Sequence, residues 1–167
     1  IDMNLISNPI SDKMRALGMV KLLYIYGGVN IPVSFLCMKD LELLYTKGTQ
    51  DDKPFVCENI DRNMTSSSFS FYPSIDFMGA PRKNQTIMEL MDFMQRTISS
   101  DFTAASVFVG DFDRWIEGRI RDQRINVISG SEIGVKDING EPVTVEQLMG
   151  NTPIKFSPNM LGIWIPA

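Results

Sequence analysis

The stretch 11–44 constrains the chain most. It reads as a long apolar helix, SDKMRALGMVKLLYIY, a Gly27-Gly28 stop, an apolar run VNIPVSFLCM and a short helix KDLELL. From Met14 onward, Leu17, Met19, Val20, Leu22, Leu23 and Ile25 nearly encircle the helix, with Lys13, Arg15 and Lys21 as the main interruptions. Such a pattern predicts burial on most sides and so calls for further layers around it. Ser11 suits an N-cap and Asp12 the first turn, where the helix dipole favours negative charge; Asn8-Pro9 closes an extended entry. Gly27-Gly28 ends the helix because glycine takes a left-handed cap at little steric cost. VNIPVSFLCM predicts one buried strand in which Pro32, lacking a ladder donor, marks an edge, a bulge or a strand end. Residues 39–45 predict a short amphipathic helix, and 46–53 a polar loop.

Downstream, 55–58 and 74–78 predict strands. Between them lies the Ser-rich 61–70, the least ordered-looking part of the chain, followed by Phe71 and Tyr72. After a turn at 79–83, Asn84 caps a helix over 85–99, whose Ile87, Leu90, Met91, Met94 and Ile98 recur at helical spacing and face the core. Segments 123–129 and 132–138 predict strands, and Asn139-Gly140 a type I′ hairpin turn into 142–145. Thr144 and Gln147 form a capping box for a helix of one or two turns ending at Gly150. Pro153, Pro158 and Pro166 break the tail into extended pieces ending in the apolar LGIWIPA. The fold class is therefore α/β, a mixed sheet flanked by helices. Residues 1–115 form the core and 116–167 a hairpin-and-tail extension packed on it, within a single domain.

Composition narrows the function. At 167 residues one sizeable core is affordable, and the 44% apolar share argues against disorder. No apolar run approaches the roughly 20 residues of a membrane span. The start IDMNLISNPI has neither an initiator Met nor a basic segment followed by an apolar one. It reads as an internal or processed piece and not as a signal peptide. The net charge of −4, with scattered Lys and Arg, argues against a nucleic-acid groove. Cys37 and Cys57 sit in apolar runs and read as buried free thiols. With no His in the chain, Ser-His-Asp and Cys-His catalysis, the HExxH metal helix and a His-based pH switch are excluded.

The order Ser11-Asp12-x-x-Arg15-Ala16, then Leu23-Tyr24-x-Tyr26-Gly27-Gly28, resembles glycosyltransferases of GT-A fold in the DXD-containing sugar-transferase family. It is similar to the initiating mannosyltransferases and capsular polysaccharide enzymes. PFVCEN (54–59) and IDFMGAPRKNQTIMELMDFM continue the likeness, which spans about 11–95. The resemblance implies a partial GT-A-like fold, with Asp12 and Arg15 facing the donor sugar. It also implies an Asp-x-Asp after Gly28 that holds a divalent metal against the sugar-nucleotide diphosphate. This chain has Pro32-Val33-Ser34 there, so the motif is degenerate: proline offers no ligand atom, and a serine hydroxyl replaces a carboxylate. The family's nucleotide-binding half would precede Ser11.

The cofactor-binding candidates are thus Asp12, Arg15, Gly27, Gly28 and Ser34, with no catalytic or metal-ligating residue assigned. Asp12 and Arg15 read equally as a structural ion pair. Asp111 and Asp113, in GDFDRW, form the one D-x-D and read as a solvated turn with Arg114 as local partner; Trp115 anchors it. The sequons at Asn63 and Asn84 read as accidental. The expectation is a glycosyltransferase-like pseudoenzyme, a structural or binding component without a cofactor. Its partners would be other chains of an assembly such as a viral particle, in the cytoplasm or the particle, with nucleotide sugar as a further ligand and no nucleic acid. The alternative is an active transferase using a nucleotide-sugar donor and a divalent metal.

Overall fold

A computed structural model describes residues 10–60, 73–100 and 105–165. In chain order the elements are α1 (Ile10–Tyr26), β1 (Gly28–Asn30), β2 (Phe35–Cys37), α2 (Leu41–Gly48), β3 (Phe55–Glu58), β4 (Pro73–Ala80), α3 (Gln85–Ser100), α4 (Ala105–Arg121), β5 (Asn126–Ile128), α5 (Val145–Met149) and β6 (Gly162–Trp164). A mixed sheet has the order β1-β4-β3-β5, antiparallel except for the parallel β3–β5 pair; β2 and β6 form a separate antiparallel ribbon. The chain is thus α/β, with helices flanking a mixed sheet. Among the described residues no helix is long and apolar enough to cross a membrane.

Both faces of the sheet are covered, so its central strands are buried on both sides instead of alternating between core and water. On one face α1, α3 and α4 enclose Val20, Leu23, Val56, Met78, Ile87, Leu90, Met94, Phe112 and Ile116. On the other, α2, the β2–β6 ribbon and the segment after β5 enclose Leu44, Phe55, Cys57, Phe77, Ile128, Ile133 and Trp164. Phe77 is wedged edge-on between Phe35 and Trp164, at centroid distances of 4.9 and 5.7 Å, which joins the ribbon to the sheet. The periodic face of α3 lies inward as its spacing predicts, and Asn84 caps it through an Oδ1 that accepts the Ile87 N–H at 3.2 Å. The Thr144–Gln147 capping box at α5 is formed as expected.

Several local expectations give way. Among the described residues α1 is covered on one side only, leaving Met19, Leu22, Ile25 and Tyr26 exposed, Tyr26 at 74%. The helix layer is one helix thick there, so apolar residues on its far side meet solvent. Ser11 lies inside α1 and is buried, because the helix already begins at Ile10. VNIPVSFLCM is not one strand: a turn at Pro32–Phe35, closed by the Phe35 N–H on the Pro32 carbonyl at 3.1 Å, sends β1 and β2 into different sheets. The polar loop at 46–53 is largely the end of α2 and a 3-10 turn, Gln50–Asp52. GDFDRW is helical, within α4. Segment 132–138 forms no strand and shares a single bridge, Lys136 to Pro142, with the far side of its turn. That turn is not type I′, since Gly140 alone in it has a positive φ, +82°. Asp137 Oδ1 accepts the N–H groups of Asn139 and Glu141 at 2.8 and 3.0 Å and imposes its own geometry. Cys57 is buried as expected, but Cys37, at the end of a solvent-facing ribbon, is exposed. The Ser-rich 61–70, Phe71, Tyr72 and the Asn63 sequon lie outside the described residues.

Gly27 makes the reversal from α1 into β1 possible. Its φ is +72°, its N–H bonds the Leu23 carbonyl at 2.8 Å, and a Cβ there would sit 2.8 Å from the Arg82 backbone nitrogen. Gly27→Ala adds left-handed strain to a backbone clash, and is expected to destabilise the fold by about 1–3 kcal/mol in urea denaturation. A wild-type midpoint in that variant would refute the assignment.

Candidate functional site

Because Gly27 turns the chain back, the end of β1 lies beside the first half of α1. There a cleft of about 340 Å³ opens, lined by Asp12, Arg15, Ala16 and Met19 of α1, Asn30 of β1, and Ile75 and Asp76 of β4. Asp12 and Arg15, one helical turn apart, form an exposed ion pair at 3.8 Å. Such a pair adds little to stability, so its placement at the cleft mouth matters more than its energy. Asn30 ends β1 opposite Met78 and offers the cleft both an amide donor and an acceptor.

Asp76 reaches the cleft through an irregularity of β4. Along β3, Val56 faces Met78, but Glu58, two residues on, faces Pro73, so the register jumps across 74–77. Within the jump the Ser74 hydroxyl accepts the Asp76 N–H at 3.2 Å, a local bond that competes with the ladder. A bulge of this kind re-aims a side chain, and Asp76 stands exposed while its neighbours Ser74 and Phe77 are buried. The cleft wall still withdraws enough water to push the Asp76 carboxyl above its ordinary range.

The sequence candidates separate into two groups. Asp12 and Arg15 line the cleft; Gly27 and Gly28 (φ +105°) do not, but supply the turn that creates it. Ser34 lies beyond β1 in the turn that leads to β2, half-buried, with its carbonyl accepting the Ile165 N–H at 3.4 Å. Pro32, Val33 and Ser34 all lie outside the cleft lining, and Val33 is fully exposed at the turn's tip. Asn30, Ile75 and Asp76 were missed; the available signal was a lone aspartate in an apolar strand, two residues after a serine.

The D-x-D in α4 does not converge on one point, since residues two apart on a helix face nearly opposite ways. Asp111 pairs with Arg114 at the surface as expected, although in a helix and not in a turn. Asp113 is buried to 1% exposure, and its Oδ2 has no hydrogen-bond partner among the described residues. Burial lifts its carboxyl to about 7, against a smaller opposite pull from Arg114. Trp115 stacks on Phe93 at 5.8 Å and carries the Arg119 guanidinium over its ring at 4.8 Å, which ties α4 to α3. The second sequon places Asn84 at the α3 cap, with its amide donating to the Asp52 carbonyl at 3.0 Å.

No family model, curated protein or solved structure matches the chain.

Proposed function

We propose that this chain is a glycosyltransferase-like, sugar-binding component of a larger assembly that works without metal-dependent transfer. The observation that carries the reading is the cleft itself: the Asp12–Arg15 pair of the S-D-x-x-R stretch opens onto one concavity with Asn30 and Asp76, at the end of the strand that follows Gly27-Gly28. Carboxylates, a guanidinium and an amide above apolar Ala16, Met19 and Ile75 suit a sugar ring, whose hydroxyls need both donors and acceptors and whose C–H faces need apolar cover. The positions at which the resemblance expects two aspartates hold Pro32 and Ser34, and both lie in the turn outside the cleft, so that motif supplies the cleft with no carboxylate for a metal-bound diphosphate. The assembly role draws on the apolar side chains left in solvent: Leu22, Ile25 and Tyr26 on α1, and Val33, Leu36 and Met38 around the ribbon.

The test is calorimetric titration of the whole chain with free sugars and sugar nucleotides, with and without manganese. Sugar binding that manganese leaves unchanged, no release of nucleoside diphosphate, and at least tenfold weaker binding by Arg15→Ala are expected. Manganese-dependent binding would overturn the metal-free reading, and turnover of the donor would establish an active transferase.

A further inference from the structure

We infer that the cleft between α1 and the β4 bulge recognises the protonated amine of an amino sugar, with Asp76 as the residue that receives it. This rests on the sugar-binding reading above and adds the class of sugar. The cleft's charges point to a cation. Asp12 is matched by Arg15 on its own helix. Asp76 has backbone bonding through its N–H to Ser74, but its carboxylate meets no cation or hydrogen-bond donor among the described residues. Two aspartates against one arginine leave the lining net negative. A bulge that interrupts the β3–β4 register is what turns this carboxylate outward, so the unmatched charge is placed by the fold and does not merely trail from a loop.

Desolvation by the cleft wall makes ionised Asp76 costly when alone. A ligand ammonium offsets that cost with an opposite full charge as well as a hydrogen bond, whereas a sugar hydroxyl brings the hydrogen bond alone. A diphosphate brought to the same place would add negative charge beside Asp12 and Asp76. The remaining lining suits a single pyranose ring: Asn30 can exchange hydrogen bonds with hydroxyls, and Ala16, Met19 and Ile75 cover an apolar face. At about 340 Å³ the cleft stands near the lower end of small-molecule pockets, roughly 300–1,000 Å³, sized for a monosaccharide and not for a whole nucleotide sugar.

The experiment titrates the full chain with glucosamine, galactosamine and mannosamine, with their neutral parent hexoses and with their N-acetyl forms. It is run at about pH 6.5, where a free amine is protonated. At least one amine is expected to bind tenfold or more tighter than both its parent hexose and its N-acetyl form. The preference should shrink as salt rises. Asp76→Asn should abolish the preference, so that the amine binds no tighter than its parent hexose to the same variant. Equal binding of amine and parent overturns the inference and leaves the sugar-binding reading standing. A preference that survives Asp76→Asn also overturns it. Silence from all three sets overturns both.

Discussion

Phe55→Ala is expected to cost about 3–5 kcal/mol of unfolding free energy, seen as a lower urea midpoint at unchanged slope. Phe55 is completely buried at the centre of the core on the α2 side of the sheet. Its ring lies against two glycines: a Cβ at Gly48 would overlap it, and a Cβ at Gly79 would come within 2.5 Å of Cε1. Glycine backbone cannot swing into the space that a lost ring leaves, so the cavity would persist and its cost would sit at the high end of the range. The mirror experiment is Gly48→Ala, expected to cost roughly 1–3 kcal/mol by overpacking. All three nearest atoms to that added methyl belong to Phe55, and Gly48 needs no positive φ. In the Phe55→Ala background the penalty of Gly48→Ala should therefore vanish or reverse. Penalties that simply add in the double mutant would show that the ring does not rest on Gly48.

This contact also shows where sequence reading succeeds and where it stops. Periodicity exposed α3, and composition with Gly-Gly exposed the α1-to-β1 reversal, because those signals are local: 3.6-residue spacing, a cap, a left-handed glycine. The apolar β3 was legible as a strand, since burial on both faces writes a continuous apolar run, and the same holds for the end of β4 beyond the exposed Asp76. Gly48 looked like a loop residue because its constraint comes from Phe55, seven positions on and across a layer. The helical state of GDFDRW was hidden for the opposite reason. Asp and Gly favour turns locally, and only the packing of Phe112 and Ile116 against the helical core fixes the helix. At the cleft the split is the same. Asp12 and Arg15 share a helix and could be paired from their spacing, whereas Asp76 joins them only through a strand crossing and a bulge that depend on the β3 register. A straight strand after Gly28 would bring Ser34 to the cleft, and the turn at Pro32 carries it away.

The protein should lose stability as pH rises from about 4 to about 7, through Asp113. In the unfolded chain an aspartate titrates near 3.8, whereas in the folded chain burial holds this one at about 7. Below the lower value both states keep the proton and no penalty applies. Between the two, the unfolded chain releases its proton and the folded chain does not, so the balance shifts toward unfolding. Above about 7 both are ionised and the penalty is complete. Its size is roughly 2–4 kcal/mol, at about 1.4 kcal/mol per pH unit of separation with an allowance for solvent screening. The structure gives the reason: Oδ2 lies buried without a hydrogen-bond partner among the described residues, and Arg114, itself engaged with Asp111, relieves the charge only in part. Glu89, held low chiefly by its hydrogen bond from Arg124, changes stability the other way at lower pH. The informative quantity is therefore the difference between wild type and Asp113→Asn, followed by denaturant titration across pH 4–8. That difference should be small at pH 4 and favour the variant increasingly up to about pH 7, with a plateau beyond. Asp113→Leu, which removes the unpartnered oxygen as well as the charge, should show the same pH dependence displaced toward higher stability throughout. A difference that stays flat across the range would mean that the Asp113 carboxyl ionises in the fold as readily as it does in water.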